Sequence, residues 1–301
     1  MRLSRAEWIP LANAHRRRAE RWTVPQLARR ERGEKHPVDD FLWEYYDLTP
    51  GRLARWHPGL GVGLDDAPEY AALGGYVEQD GVVRVDPARI ERRRPGLRWT
   101  RDLLARTAQR PVHRGCFGLH EWAMVYRDRD VRHPQLRLRL GNNGTDRVVE
   151  SHRLACTHVD AFRFFTPDAA PLNDRPLGRP DQLGTEQPGC LHANMDLYKA
   201  AYRLLPFVES TIVLDTFELA LDIRRVDMRA SPYDVRPLGL DPIAIETADG
   251  KAQYLAHQER FAERAAPLRQ QLIGLHDEVL ASGQHYKTSL GHQLRILDRR
   301  R

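Results

Sequence analysis

Apolar residues in the first thirty positions recur at three- and four-residue steps. Trp8, Leu11, Ala12, Ala19 and Trp22, with His15 among them, predict one long helix interleaved with Arg16, Arg17, Arg18 and Arg21. A basic run over 29–36 follows, and Pro37 then opens a second helix through Phe41, Leu42, Tyr45 and Tyr46. Between 56 and 75 the chain is broken by Pro58, Gly59, Gly61, Gly63, Pro68, Gly74 and Gly75, which predicts loop. The apolar pairs at 76–77 and 82–85 flank Gln79-Asp80-Gly81 and predict a small β-hairpin. From Leu97 the helical period returns, giving helices near 98–109, 117–127, 145–165, 192–205, 208–229 and 250–282. Proline, glycine and aspartate crowd 166–187, which reads as a long surface loop or lid. A short strand is expected over 243–247 and a frayed basic tail over 283–301. The fold class expected is mainly α, a helical single domain with a small β-hairpin and a long proline-rich loop. Within one compact domain, 1–95 form a basic helical region and 96–282 a helical catalytic region.

Composition narrows the class. The chain has 301 residues, 41% hydrophobic and 29% charged, enough to bury a sizeable core under a polar surface. No apolar run approaches the roughly 18 residues that span a bilayer, and the N-terminus has no apolar signal core. Three cysteines, an odd number without C-x-x-C spacing, argue against a disulfide framework and for a reducing, cytoplasmic setting. The net charge of +6 comes mainly from arginine, whose planar fork suits phosphates and carboxylates. A nucleic-acid partner fits that balance, although the 41 acidic residues can pair with many of the arginines. Neither a protein partner nor a membrane is indicated.

Candidate chemistry gathers between 113 and 234. Each cysteine stands just ahead of a histidine, in Cys116-Phe-Gly-Leu-His120, Cys156-Thr-His158 and Cys190-Leu-His192, with Glu121, Glu150, Asp160 and Asp196 close by. On a helix over 145–165, His152, Cys156 and Asp160 share one stripe at i, i+4, i+8, and His158 lies near the apolar face. His192 and Asp196 are one turn apart, as a proton-transfer pair or two metal ligands would be; a helix cap and a pair with Lys199 explain them equally. Asp215, Glu218 and Asp222 form a carboxylate ladder that needs compensation, from Arg225 and Arg229 or from a metal. His120-Glu121 starts like a zinc-protease motif, but Met124 replaces the second histidine. The cysteine–histidine spacings do not match structural zinc sites, and the cysteines read as small packing residues. No Walker A or dinucleotide fingerprint is present. The run from Pro58 to Gly63 is similar to the glycine hairpin of helix-hairpin-helix proteins, with Asp80 about twenty residues on, but the intervening residues read as loop.

Several longer runs carry a resemblance. They are Arg32-Gly-Glu-Lys-His-Pro-Val-Asp-Asp-Phe-Leu42, Trp56-His-Pro-Gly59, Gly115-Cys-Phe-Gly-Leu-His-Glu-Trp-Ala-Met-Val-Tyr126, Ser151-His-Arg-Leu-Ala-Cys-Thr-His158, Gln187-Pro-Gly-Cys-Leu-His-Ala-Asn-Met-Asp-Leu-Tyr-Lys199 and Asp227-Met-Arg-Ala-Ser-Pro-Tyr-Asp234. Together they resemble a family of actinobacterial proteins carrying the name 3-methyladenine DNA glycosylase, over nearly the whole chain to about residue 275. The resemblance implies a DNA-repair enzyme that binds duplex DNA, flips an alkylated base and hydrolyses its bond to the sugar without a cofactor. On that reading Glu121, Asp160 and Asp196 are the candidate carboxylates, and His120, His152 and His192 the proton donors. Trp43, Tyr46, Trp122 and Tyr126 would stack on the cationic base, and Arg29, Arg30, Arg32, Lys35, Arg92, Arg93 and Arg94 would meet phosphates. The residues also permit an iron or zinc enzyme of the helical oxygenase type acting on a small molecule. Its ligands would come from His120, His152, His158, His192, Asp215, Glu218 and Asp222. A non-catalytic nucleic-acid-binding protein is the third expectation.

Overall fold

Ser4 starts the first long helix: its backbone N–H and its hydroxyl both donate to Glu7 at 2.8 Å, a capping box. The computed structural model describes residues 1–128 and 131–298, with 284–298 described by backbone alone. Strand β1 (Arg2–Leu3) leads into helix α1 (Arg5–Glu31). Short helices α2 (Phe41–Tyr45) and α3 (Pro50–Leu53) follow. The stretch expected to be loop contains β2 (Gly63–Asp65) and α4 (Pro68–Ala71), with proline at the first helical position of α4. The expected hairpin is present as β3 (Tyr76–Gln79) and β4 (Val82–Val85). These strands make one four-stranded sheet in the order β1-β2-β4-β3, with only β1 and β2 parallel.

No helix-hairpin-helix forms around Pro58. Leu60 N–H donates to the Phe207 carbonyl, Gly59 lies against the backbone of Val208 and Glu209, and Asp80 occupies the hairpin turn with φ +52°.

The chain then becomes helical. Helix α5 (Arg89–Gln109) begins nine residues earlier than its apolar period suggests and carries Pro95 inside it. Helices α6 (Leu119–Ala123), α7 (Gly141–Glu150) and α8 (Val159–Phe162) come next. The single helix expected over 145–165 is therefore two, and the stripe of His152, Cys156 and Asp160 does not exist. Between α7 and α8 the chain is irregular, with a single β-bridge from Leu154 to Asn173. The Asn173 side chain accepts from Cys156 N–H at 2.8 Å and donates to its carbonyl at 3.2 Å, and Asp174 N–H donates to the Leu154 carbonyl. Those bonds satisfy polar groups that a helix would have paired internally.

The partner segment is the proline-rich stretch, which is no detached lid. It holds two 3-10 turns and α9 (Gln182–Thr185), and it buries Ala169, Asn173, Gln182 and Glu186. Helices α10 (Leu191–Met195), α11 (Leu197–Tyr202), α12 (Thr211–Ala230) and α13 (Ala248–Asp298) complete the mainly α fold. The 243–247 stretch is not a strand: Ile243 and Ile245 are buried in tight turns, and Ile243 N–H donates to the Arg229 carbonyl. Helix α13 runs on to Asp298 where a frayed tail was expected from 283; residues 299–301 lie outside the described ones.

Helix α12 is the central element. It packs against α10, α11 and α13, and α13 lies along α5. Ile212, Val213, Phe217, Ala220 and Ile223 are all nearly inaccessible, so α12 is buried on most of its circumference. No helix among the described residues is long and apolar enough to cross a membrane.

Candidate metal centre

Two consecutive left-handed residues shape the first part of the site. Phe117 has φ +48° and Gly118 φ +76°, and together they turn the chain into α6. At Gly118 a Cβ would come within 3.2 Å of both Ala230 and Tyr254, so the close approach also calls for glycine. The turn lays the Cys116 thiol against Nδ1 of His120 at 3.3 Å. On its other side, His120 Nε2 meets Asp227 Oδ1 of α12 at 2.9 Å. One helical turn before Asp227, the Arg224 guanidinium donates to Asp227 Oδ2 at 3.1 Å and to Glu121 Oε1 at 2.7 Å. It also lies 4.0 Å from the centre of the Phe41 ring.

Helix α10 brings His192 edge-on to His120, with ring centres 4.5 Å apart. His158, at the N-terminus of α8, stacks on the far side of His192 at 5.3 Å. Beyond it stand two carboxylates, Glu186 at 3.5 Å and Asp196 at 3.4 Å from His158 Nε2. Tyr46 donates to Asp196 at 2.7 Å, and Gln182 donates to Glu186. Three histidines thus form a buried row with carboxylates at both ends.

Charge in this row is set by burial and by neighbours. Burial works against a charged His120, but the Asp227 and Cys116 charges and their hydrogen bonds raise its pKa well above the ordinary imidazole value. Burial, reinforced by the His120 charge, drives the His192 pKa far down and keeps that ring neutral. Asp227 and Asp196 are held below the carboxylate range despite burial, by His120 in one case and His158 in the other. Burial pushes Glu121 and Glu186 upward, more than Arg224 and His158 pull them down.

Among the described residues, His120, His192 and Asp227 can each offer one ligand atom such that all three atoms lie within 4.8 Å of one another. An ion bonded at about 2.1 Å spaces its ligands at most about 4.2 Å apart, so small side-chain rotations close the set. Within the row, Nδ1 of His192 is buried without a hydrogen-bond partner, and Nε2 of His158 has only the longer contacts to Glu186 and Asp196. An orphaned buried polar atom costs about 1–3 kcal/mol, which a bound ion at His192 would remove. A cavity of about 20 Å³ opens beside this set, between Phe41, Tyr45, Glu121, Asp160, His192 and Arg224. That is room for about one water.

The structure thus gathers His120, His158, His192, Glu121 and Asp196 into one row. Asp160 is close by, paired with Arg179 and Lys199 at 3.3 and 3.4 Å. His152 does not join them: its Nδ1 donates to the Val148 carbonyl at the end of α7. Asp215, Glu218 and Asp222 do not join them either. Arg18 binds both Asp215 and Glu218, Arg21 and Trp22 bind Glu218, and Arg264 binds Asp222.

The aromatic residues expected to stack on a base serve the interior. Trp122 is fully buried with its Nε1 on the Ala230 carbonyl, and Tyr46 and Tyr126 are nearly as inaccessible. Trp43 packs on Phe217. Several expected phosphate contacts are committed internally. Arg29 pairs with Asp40, Arg32 with Glu34 and Arg94 with Glu91, and Arg93 donates to the carbonyls of Arg203 and Leu205. Arg30, Lys35 and Arg92 are exposed.

Sequence reasoning missed Asp227, Arg224, Glu186 and the contact of Cys116 with His120. The first two carried a legible signal: Phe217, Ala220, Arg224 and Asp227 follow one another at helical spacing, which puts two charges on the apolar arc of α12. No protein-family model, curated protein or solved structure matches the chain.

Proposed function

We propose that the protein is a metal-dependent enzyme with a two-histidine, one-carboxylate centre formed by His120, His192 and Asp227. The proximity of those three ligand atoms, together with the unpartnered Nδ1 of His192, carries the reading. Two imidazoles and a carboxylate on one face, with further positions open, are the ligand set of non-haem iron(II) enzymes. Iron bound there would supply oxidative chemistry on a small molecule. The neighbouring residues have clear parts to play in holding it. Cys116 occupies Nδ1 of His120, which leaves Nε2 facing Asp227 and His192. Arg224 engages Oδ2 of Asp227, and Oδ1, which bonds His120 Nε2 at 2.9 Å, would turn to the ion as that proton is released. Burial keeps His192 neutral, as ligation requires, whereas His120, whose pKa the Asp227 and Cys116 charges raise, would have to give up its proton to bind the ion.

Anaerobic addition of Fe(II) to metal-free protein is expected to raise the midpoint of thermal unfolding, because an ion held only by the folded state stabilises it. Asp227→Ala and His192→Ala should abolish the rise, and Cys116→Ser should keep most of it. No rise with Fe(II), Zn(II), Mn(II) or Co(II) would sink the proposal.

A second reading has its own geometric support. Cys116, His120 and Asp227 have the spacing of a nucleophile, base and orienting acid, 3.3 and 2.9 Å apart. His120 also draws the Cys116 pKa below the ordinary thiol value, against the effect of burial. Rapid alkylation of Cys116 by iodoacetamide, lost in Asp227→Asn, would favour this thiol chemistry. Hydrolysis of a base–sugar bond in DNA, which the sequence resemblance implies, has weaker support. Most of the residues assigned to the base and the phosphates have other partners.

A further inference from the structure

A second cavity lies on the other side of the His158 carboxylates. It has a volume of about 130 Å³ and is enclosed by α5, the α9 segment, α11 and α13. Its apolar wall comes from Trp99, Leu103, Leu104, Ala193 and Ala200. Its charged lining consists of Arg179, Glu186, Asp196, Lys199, Arg203 and Arg269, four cations against two carboxylates.

The partners of those cations separate them. Arg179 and Lys199 are engaged with Asp160, which lies outside the cavity lining. Arg269 is only 2% exposed and makes no ion pair among the described residues. It donates one terminal N–H to the Asn194 side chain, and its Nε is buried without any partner. The Glu186 charge acts on it only at a distance, and a buried guanidinium without a direct ion pair is costly unless something supplies one. Burial lowers its pKa to about 10, so it remains a cation at neutral pH. The carboxylates on the wall are already engaged, Asp196 by Tyr46 and His158 and Glu186 by Gln182 and His158.

We propose that this cavity binds a small carboxylic acid with an apolar body, its carboxylate on Arg269 and its body between Trp99 and Leu103. The guanidinium fork matches a carboxylate. An apolar cavity of about 150 Å³ takes up benzene, so this one, at about 130 Å³ and open to solvent, holds most of a body of that size with the remainder at the opening. Trp99 is 38% exposed and stands at the mouth. Glu186 and Asp196 separate this cavity from His158, so the acid reaches the edge of the histidine row. That the acid is the substrate rests on the metal-centre reading; that it binds does not.

The test uses the full chain in chelator, titrated with benzoate, its neutral counterpart benzyl alcohol, and inorganic phosphate, followed by calorimetry. Benzoate is expected to bind at least about tenfold more tightly than either of the others, the loss expected when one charged contact is removed. Trp99→Ala, a change at an exposed position, should weaken benzoate severalfold and leave phosphate unaffected. Arg269→Gln should remove the preference for benzoate over benzyl alcohol. If that variant does not fold, Arg203→Gln at the exposed rim should weaken benzoate and spare benzyl alcohol. Equal binding of benzoate and benzyl alcohol, binding of phosphate as tight as benzoate, or no binding at all would each overturn the proposal. Because metal is withheld throughout, a failure of the metal centre leaves this result untouched.

Discussion

Arg224→Met probes how the site holds its charges. The Arg224 guanidinium is 2% exposed and bridges Glu121 at 2.7 Å and Asp227 at 3.1 Å. Methionine keeps most of the length and the packing on Phe41, so the change chiefly removes the cation. Breaking a buried ion pair from one side costs about 3–5 kcal/mol, because the charges left behind are neither solvated nor paired. Here two carboxylates would remain, one of which, Glu121, burial already pushes toward protonation. Adding Glu121→Gln removes one of those charges, so the double variant should recover about 1–3 kcal/mol relative to the sum of the single variants. Urea unfolding of all four proteins in chelator at pH 7.5 measures the coupling. Additivity to within about 0.5 kcal/mol would refute the idea that Arg224 compensates this carboxylate pair.

Other consequences can be checked independently. His57 is held neutral by burial, with its pKa lowered to about 3 and its Nδ1 at 2.7 Å from the Tyr76 hydroxyl. Its unfolded value is near 6.5, so the unfolded chain takes up the proton first as pH falls. The stability present above pH 6.5 is lost on acidification, by about 3 kcal/mol at pH 4.5. His57→Phe should flatten that part of the curve measured by urea unfolding from pH 7.5 to 4.5; an unchanged slope would contradict the assignment. Gly59→Ala places a Cβ 2.9 Å from Glu209 N at φ +84°, and should cost about 2 kcal/mol or more in the same assay. Arg29→Ala should destabilise by about 1–3 kcal/mol through the loss of its pair with Asp40, while the salt dependence of any duplex DNA binding stays unmoved. A reduced salt slope would restore Arg29 as a phosphate contact.

The long helices and the hairpin were legible in the sequence because their signals are local. The α1 periodicity, the Gln79-Asp80-Gly81 turn and the apolar run of α12 each depend on neighbours a few residues away. The break between α7 and α8 depends on Asn173, seventeen residues beyond Cys156, and no local period reports it. That distant contact removes His152 from the site and places His158 in it. The carboxylate ladder Asp215, Glu218 and Asp222 drew attention because it is conspicuous, yet it lies on the exposed arc of α12 and is met by arginines of α1 and α13. The carboxylate that does meet the histidine row, Asp227, is on the opposite arc among apolar residues, where a charge needs a reason. Glu186 lies in a stretch whose proline and glycine content reads as loop, and its burial depends on α9 closing over the row. The histidines 120, 158 and 192 stand out in the sequence by type, but their mutual contact is a property of the packing of α6, α8 and α10.

Metal content tests the central claim most directly. Protein prepared without chelator and reconstituted anaerobically with Fe(II), then desalted, should retain about one iron per chain by elemental analysis. His120→Ala, His192→Ala and Asp227→Ala should each retain far less, while His152→Ala and Asp222→Ala should match the parent. An iron content near zero in the parent protein, or full retention in all three ligand variants, would contradict the account.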